Sequence, residues 1–297
     1  MTTADGARLH YRRLGSGGPV VVVPGGCFLE PALAALARAR TVVFYDPRNR
    51  CRSSAVEDGA RISVRADVED LEALRRHVGA ERIVPVGFSY LGRVVALYAR
   101  SHPERVERLV QIGAVSPGVG TAYPPALAEP RAAWPADLLA LDDEVKRLRE
   151  EGRDRSDPAG FCERYDAFVR RLLVYRPAPA ARYTPGCDSP REWPINLDRH
   201  LAAIFTSLAA SPVPPESVAS MRSPVLVVHG RHDRQAPYGA GREWAMAWPD
   251  ARLVTVAEGA HAPFVDDPSV VDDLDRFLAG SWPERAERVR ALDPAAR

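Results

Sequence analysis

The sequence predicts an α/β protein, a mostly parallel, doubly wound sheet with an inserted helical cap. Three observations carry that expectation. Short runs rich in Val, Ile and Leu, bounded by Gly, Pro or Asp, alternate with segments of helical periodicity. The alternation stops between Ser116 and Ser223, where no strand is legible and about half of the chain's 27 prolines lie. At 297 residues the chain is long enough for one large domain carrying such an insertion.

Each element has a local reason. Residues 8–13 and 19–24 read as an opening strand pair around the turn Gly15-Ser16-Gly17-Gly18, which precedes a strand and not a helix and so is no dinucleotide fingerprint. Short buried strands follow at 41–46, 82–87, 108–114, 224–230 and 252–257, near-continuous in apolar residues as parallel strands covered on both faces are. Between them Val68, Leu71, Leu74 and Val78 form one helical stripe. Leu91, Val94, Val95 and Tyr98 form a second, and Val270, Val271, Leu274 and Phe277 a third. The insertion carries helical segments at about 137–151, 158–174 and 196–209, and a proline-rich loop at 176–194. The tail after Gly280 is charged and reads as a helical or frayed end. The core is therefore expected at 1–117 and 222–297, and the cap at 118–221.

A formal net charge of +1, with 46% hydrophobic and 27% charged residues, places the chain in the folded globular class. No charge imbalance recommends nucleic acid or an anionic membrane as a partner, and no stretch approaches the roughly 18 apolar residues of a membrane span. No apolar run resembles a signal peptide, so a cytoplasmic protein is expected. Of the 40 cationic side chains only Lys146 is a lysine, and it lies in a charged helical stretch. That leaves no lysine for a P-loop and none placed for a Schiff base. Cys27, Cys51, Cys162 and Cys187 are scattered, without a CxxC pair or zinc-like spacing, so reduced thiols and no metal are expected.

The sharpest local signal is Val84-Pro85-Val86-Gly87-Phe88-Ser89-Tyr90-Leu91-Gly92, a buried strand running through a tight turn into an apolar helix. A nucleophilic serine needs that placement: a strained elbow lifts Oγ above the sheet, and the helix aims its first amides at developing negative charge. The usual spacing is G-x-S-x-G, and here the second glycine comes one residue late, at Gly92. The plain alternative is a serine capping a helix. A serine nucleophile also needs a histidine base and a carboxylate to orient it. Asp233 falls in the turn after the strand ending His229-Gly230, and His261 in the loop after the next strand. Three polar groups after three strands emerge together at the carboxyl edge of one parallel sheet, where open α/β proteins build their sites.

The remaining histidines have plainer readings. His77 and His102 end helices, His10 lies on the first strand and His200 in the insertion. His229 reads as a core residue, while His232 beside Asp233 is an alternative base. The H-x-x-H spacing of these two lacks a third ligand, so no metal is assigned. Asp266 and Asp267 read as caps of the last helix. Donors for a tetrahedral oxyanion are sought in Pro24-Gly25-Gly26-Cys27, with the Gly26 amide paired to that of Tyr90 and Cys27 as the alternate. A glycine turn without that role is the rival reading.

With Ser89, Asp233 and His261 placed in that order, the chain resembles the α/β-hydrolase superfamily, and most closely its branch of prolyl iminopeptidases, small esterases and related capped hydrolases. The resemblance covers about residues 5–117 and 222–280. Asp46-Pro47-Arg48-Asn49-Arg50-Cys51-Arg52-Ser53 is similar to the family's D-x-R-G-x-G-x-S stretch, His102 to Val106 to its helix-to-strand connection, and Gly230 to Pro237 to G-x-x-D-x-x-x-P. Asn49 and Cys51 replace glycines; Cys tolerates a left-handed backbone poorly, so a differently shaped loop is expected. Pro24 replaces the family's histidine, and the H-G-G-x-P-G stretch of prolyl iminopeptidases is missing. The resemblance implies a serine hydrolase without cofactor, acting on a small molecule, with a carboxylic ester or lactone favoured. N-terminal proline cleavage is the alternative, followed by a cofactor-free lyase or cyclase, or a ligand-binding protein. The insertion matches the family's helical cap. Its aromatics, Trp134, Phe161, Tyr165, Phe168, Tyr175, Trp193 and Phe205, are expected mostly to form its own core, with two or three at the substrate. Glu144 and Glu163 are the candidates for gripping an amine, against the plainer reading of solvated charges. The sequence assigns no individual substrate-binding residue and no oligomeric state.

Overall fold

The computed structural model describes residues 1–177 and 186–292, without the side chain of Arg191. Seven strands, β1 (Tyr11–Leu14), β2 (Val21–Pro24), β3 (Val42–Tyr45), β4 (Val84–Phe88), β5 (Leu109–Ile112), β6 (Val225–Gly230) and β7 (Ala251–Val256), form one sheet in the order β1-β3-β2-β4-β5-β6-β7. β1 runs antiparallel to β3, pairing Tyr11 with Tyr45 and Leu14 with Val42, and the other pairs are parallel. Strand order reverses between β2 and β4, which puts the crevice above their carboxyl ends at a topological switch point.

The period-2 geometry of a strand sends alternate residues to opposite faces. Val22, Val43 and Tyr45 pack on one face with α2 (Val64–His77), α3 (Leu91–Ser101) and α8 (Tyr238–Ala247). Val21, Val23, Val42 and Phe44 pack on the other with α1 (Gly26–Leu33) and with α10 (Val270–Leu278), which follows the short α9 (Pro263–Asp266). Each fully buried Val or Leu contributes roughly 1.5–3 kcal/mol relative to exposure. α2 starts where Ser63 Oγ accepts the Ala66 amide at 3.2 Å, and its last turn carries Arg75, Arg76 and His77 against the negative end of the helix dipole.

Between β5 and β6 the described chain is helical: α4 (Ala136–Glu150), α5 (Arg153–Ser156), α6 (Pro158–Leu173) and α7 (Leu197–Ala209). Asp157 caps α6 by accepting the Gly160 amide at 3.1 Å, and Pro158 fits the first helical position. Phe161, Tyr165, Val169 and Leu173 of α6 join the cluster on the α1 face, whereas Ile204 and Leu208 of α7 join the α2 face. Part of the expected proline-rich loop, 178–185, lies outside the described residues.

Three expectations are corrected. The cysteines are paired: Cys27 with Cys51, and Cys162 with Cys187. Separations of 24 and 25 residues hide Cα–Cα distances of 6.4 and 5.9 Å, because the fold converges the loops that carry them. The tail after Gly280 is neither helical nor frayed through residue 292. Leu253 and Glu287 exchange amide–carbonyl bonds of 2.8 and 2.9 Å, so the tail covers the outer edge of β7, and Trp282 packs on Phe277. The loop after β3 also keeps left-handed backbone at both departures from the family pattern, with φ 61° at Asn49 and 48° at Cys51.

Candidate active site

β4 ends at Phe88, and Ser89 turns the chain with φ 57°, a left-handed conformation that a non-glycine residue adopts only when its surroundings enforce it. They do so here. The Ser89 amide donates to the Ile112 carbonyl of β5 at 3.0 Å, and its carbonyl accepts the Gly92 amide at 3.0 Å. Gly92 explains the displaced second glycine of the motif. A Cβ there would lie 2.4 Å from Ala114 Cβ, so only glycine lets α3 start this close to the strand beside it.

Asp233 follows β6 and is fully buried. Its Oδ1 accepts the amides of Gln235 at 2.9 Å and Ala236 at 2.8 Å, which leaves Oδ2 facing His261 Nδ1 at 2.8 Å. His229 Nε2 lies 3.2 Å from the same oxygen and 2.8 Å from the Ala236 carbonyl. Burial alone would raise the carboxyl. The facing His261 and the hydrogen bonds of both histidines outweigh it and hold Asp233 well below the usual carboxylate range. Gly113, at φ 51°, makes room for the pair, since a Cβ there would sit 2.9 Å from the His261 carbonyl and 3.3 Å from Asp233 Oδ2. His261 itself follows β7. Its ring packs on Phe88 at 4.8 Å between centroids, and the next amide, of Ala262, donates to the Leu173 carbonyl of α6 at 2.8 Å.

Ser89 and His261 face one cavity of about 210 Å³. Among the described residues Ser89 Oγ makes no hydrogen bond to His261, and such contacts commonly tighten only once substrate is bound. On the β2 side the cavity is lined by Gly25, Cys27 and Phe28. The Cys27 amide donates to Asp46 Oδ1 at 2.8 Å and is therefore occupied, whereas the Gly26 and Tyr90 amides have no acceptor among the described residues. The Cys27–Cys51 disulfide and Asp46, which also accepts from Arg52, fasten this loop to the one after β3.

The opposite wall comes from the insertion, and its aromatics there are Tyr165, Phe168, Trp193 and Phe205. Tyr175 instead stacks on His232 at 4.5 Å, and His232 lies 3.4 Å from Glu129, so neither lines the cavity. Glu144 pairs with Arg164, and neither Glu144 nor Glu163 reaches the cavity. Asp267 accepts the Ser269 amide at 3.0 Å in a turn just ahead of α10, whose first amides receive no side-chain cap, so the expected cap does not form. Nor does Asp266 supply it: it takes the Ala260 amide at 2.8 Å and the Tyr175 amide at 2.9 Å, tying the loop before His261 to the insertion.

Two cavity residues escape the sequence reading. His200 Nε2 lies 3.1 Å from the Tyr90 hydroxyl, and burial, reinforced by the charge of Arg50, pushes its pKa down to about 3. Burial likewise pushes the Tyr90 hydroxyl well above its ordinary value, so both groups stay neutral. Arg50 itself lines the cavity. The signal for it was its position between Asn49 and Cys51, the two residues that stand for glycines.

A sheet of this order, with its polar groups gathered at the carboxyl edge of the switch point, defines an open α/β protein with its site in that crevice. The chain belongs to the alpha/beta hydrolase fold family, whose pattern it matches over residues 18–268. It is 30% identical over 192 residues to the pimeloyl-[acyl-carrier protein] methyl ester esterase of Aromatoleum aromaticum, covering 62% of this chain and 69% of that one. To the probable proline iminopeptidase of Streptomyces coelicolor it is 25% identical, with 96% of each chain covered. Among solved structures, a thermophilic esterase from Thermogutta terrifontis superposes with a TM-score of 0.65 at 20% identity, over 94% of this chain and 96% of that one, a likeness of fold.

Proposed function

We propose that the protein is a serine hydrolase that cleaves a small carboxylic ester or lactone through an acyl-enzyme on Ser89. The observation that carries this reading is the His261–Asp233 pair opening onto the same cavity as a serine held in left-handed backbone. Ser89 Oγ attacks the carbonyl carbon as His261 Nε2 takes its proton. The Gly26 and Tyr90 amides receive the oxyanion, a contribution of about 3–4 kcal/mol per donor in comparable sites. His261 returns the proton to the departing alcohol. Water then attacks the acyl-enzyme, yields its proton to His261, and the acid leaves as Ser89 regains that proton. The helical insertion, 118–221, acts as the cap that excludes bulk water.

The cavity favours an ester over an N-terminal proline. An aminopeptidase must hold a substrate ammonium, yet the described cavity wall contains Arg50 and no aspartate or glutamate. A screen of p-nitrophenyl esters against prolyl p-nitroanilides tests it: ester turnover is expected, and turnover of the anilides alone would overturn it. The two disulfides are bonds of a kind that persists in oxidising compartments, which argues against a reducing cytoplasm. Thiol titration of denatured protein whose free thiols were alkylated at lysis tests the pairing: no alkylated cysteine is expected, and four would overturn it.

A further inference from the structure

A guanidinium taken out of water needs acceptors, because burying the charge without them costs several kcal/mol. Of the six arginines buried among the described residues, five obey. Arg48 pairs with Asp70 and Asp5, Arg75 with Glu72, and Arg40 with Asp275. Arg93 donates to the carbonyls of Leu208 and Gly118, and Arg242 to those of Leu292 and Ala291. Arg50 is the sixth. It is 5% exposed, has neither a hydrogen-bond acceptor nor an ion-pair partner among the described residues, and its Nη1 is wholly buried.

The side chain lies over the Phe28 ring at 5.7 Å and lines the cavity that holds Ser89 and His261. The carboxylates that act on it from a distance are engaged elsewhere. Asp46 takes the Cys27 amide and Arg52, and Glu192 takes Asn196 Nδ2 at 3.1 Å. Tyr90 and His200, the polar groups beside it in the cavity, are uncharged at neutral pH. The chamber, whose other polar side chains are Ser89, Tyr90, Tyr165, His200, Gln235 and His261, therefore carries one guanidinium whose donors are unspent among the described residues. A single guanidinium matches the charge and fork geometry of one carboxylate.

We propose that Arg50 binds an ionised carboxylate of the substrate, so that the preferred substrates are short esters or lactones bearing a second, free carboxylate besides the bond that is cleaved. This rests on the ester-hydrolase reading above and narrows its substrate class. The carboxylate belongs either to the acyl part or to the alcohol part, and two substrate pairs separate these sources. Mono-p-nitrophenyl glutarate against p-nitrophenyl pentanoate tests the acyl side, and 4-acetoxybenzoate against phenyl acetate the alcohol side.

One pair is expected to show at least a tenfold preference in kcat/KM for the carboxylate member, carried mainly by KM. Arg50→Leu should erase the preference, bringing the carboxylate member and its neutral counterpart to equal kcat/KM, and Arg50→Lys should retain part of it. Calorimetric titration with glutarate should show binding to wild type that Arg50→Leu abolishes. Equal turnover within both pairs by wild type overturns the proposal and needs no variant to be folded. If neutral esters are cleaved without such a preference, the hydrolase reading stands and this narrowing fails. If no ester is cleaved, the hydrolase reading fails, and the glutarate titration still decides whether Arg50 is an anion site.

Discussion

Replacing Asp233 by asparagine isolates what the buried carboxylate does. The geometry dictates how the carboxamide must sit. Oδ1 accepts two backbone amides, from Gln235 and Ala236, at 2.9 and 2.8 Å. Turning the NH₂ group toward them would set donors against donors and leave two buried amides unpaired, at about 1–3 kcal/mol each. The carbonyl oxygen therefore stays on Oδ1, and the NH₂ group replaces Oδ2 opposite His261 Nδ1, now 2.8 Å from a carboxylate oxygen. A donor at that point forces the His261 proton onto Nε2, where it can no longer accept the proton of Ser89. The loss in kcat should be about 10⁴-fold, some 5.5 kcal/mol of transition-state stabilisation. Steady-state kinetics on the best p-nitrophenyl ester measures it, with urea denaturation confirming that the variant is folded. A folded variant that loses less than tenfold refutes the assigned role of Asp233.

Two other perturbations follow from the same neighbourhood. His200 has its pKa lowered from 6.5 to about 3 by burial and by Arg50, so below pH 6.5 the unfolded chain binds a proton that the folded one refuses, and stability falls as the pH falls toward 3. This one residue contributes up to about 1.4 kcal/mol per pH unit, and His200→Gln should flatten urea midpoints measured across that window; an unchanged slope contradicts it. Gly92→Ala places a methyl 2.4 Å from Ala114 Cβ, which should cost about 1–3 kcal/mol and lower Tm and activity together as α3 is pushed off β5. Wild-type Tm and turnover in that variant would show that the elbow tolerates the displacement.

Much of this architecture is written in local patterns. The apolar runs of β4, β6 and β7 announce themselves because parallel strands buried on both faces need little else, and the polar residues directly after them have no other place to go than the carboxyl edge. α6 and α7 are legible for the same reason, each carrying an apolar stripe at helical spacing. α1 and α8 are not. α1 holds Pro31, and α8 is buried on nearly every side, so neither shows a polar face to contrast with an apolar one. The disulfides escape because pairing depends on where loops converge and not on spacing.

Arg48, Arg50 and Arg52 show the limit most clearly. They alternate along one short loop and are indistinguishable as letters. The fold sends Arg48 to Asp70 and Asp5, leaves Arg52 about half exposed against Asp46, and turns Arg50 into the cavity without a partner. Asp266 and Asp267 divide in the same way, Asp267 closing a turn onto Ser269 and Asp266 bridging the His261 loop to the insertion, because only the tertiary fold brings Tyr175 within reach.

In the proposed mechanism Ser89 is a nucleophile activated by His261. Incubation with a fluorophosphonate, followed by intact-mass measurement and mapping of the modified peptide, tests it directly in wild type, Ser89→Ala and His261→Ala. Stoichiometric modification confined to the peptide containing Ser89, absent from Ser89→Ala and slowed by orders of magnitude in His261→Ala, is the predicted result. A folded wild-type protein that stays unmodified, or one modified equally fast without His261, would contradict it.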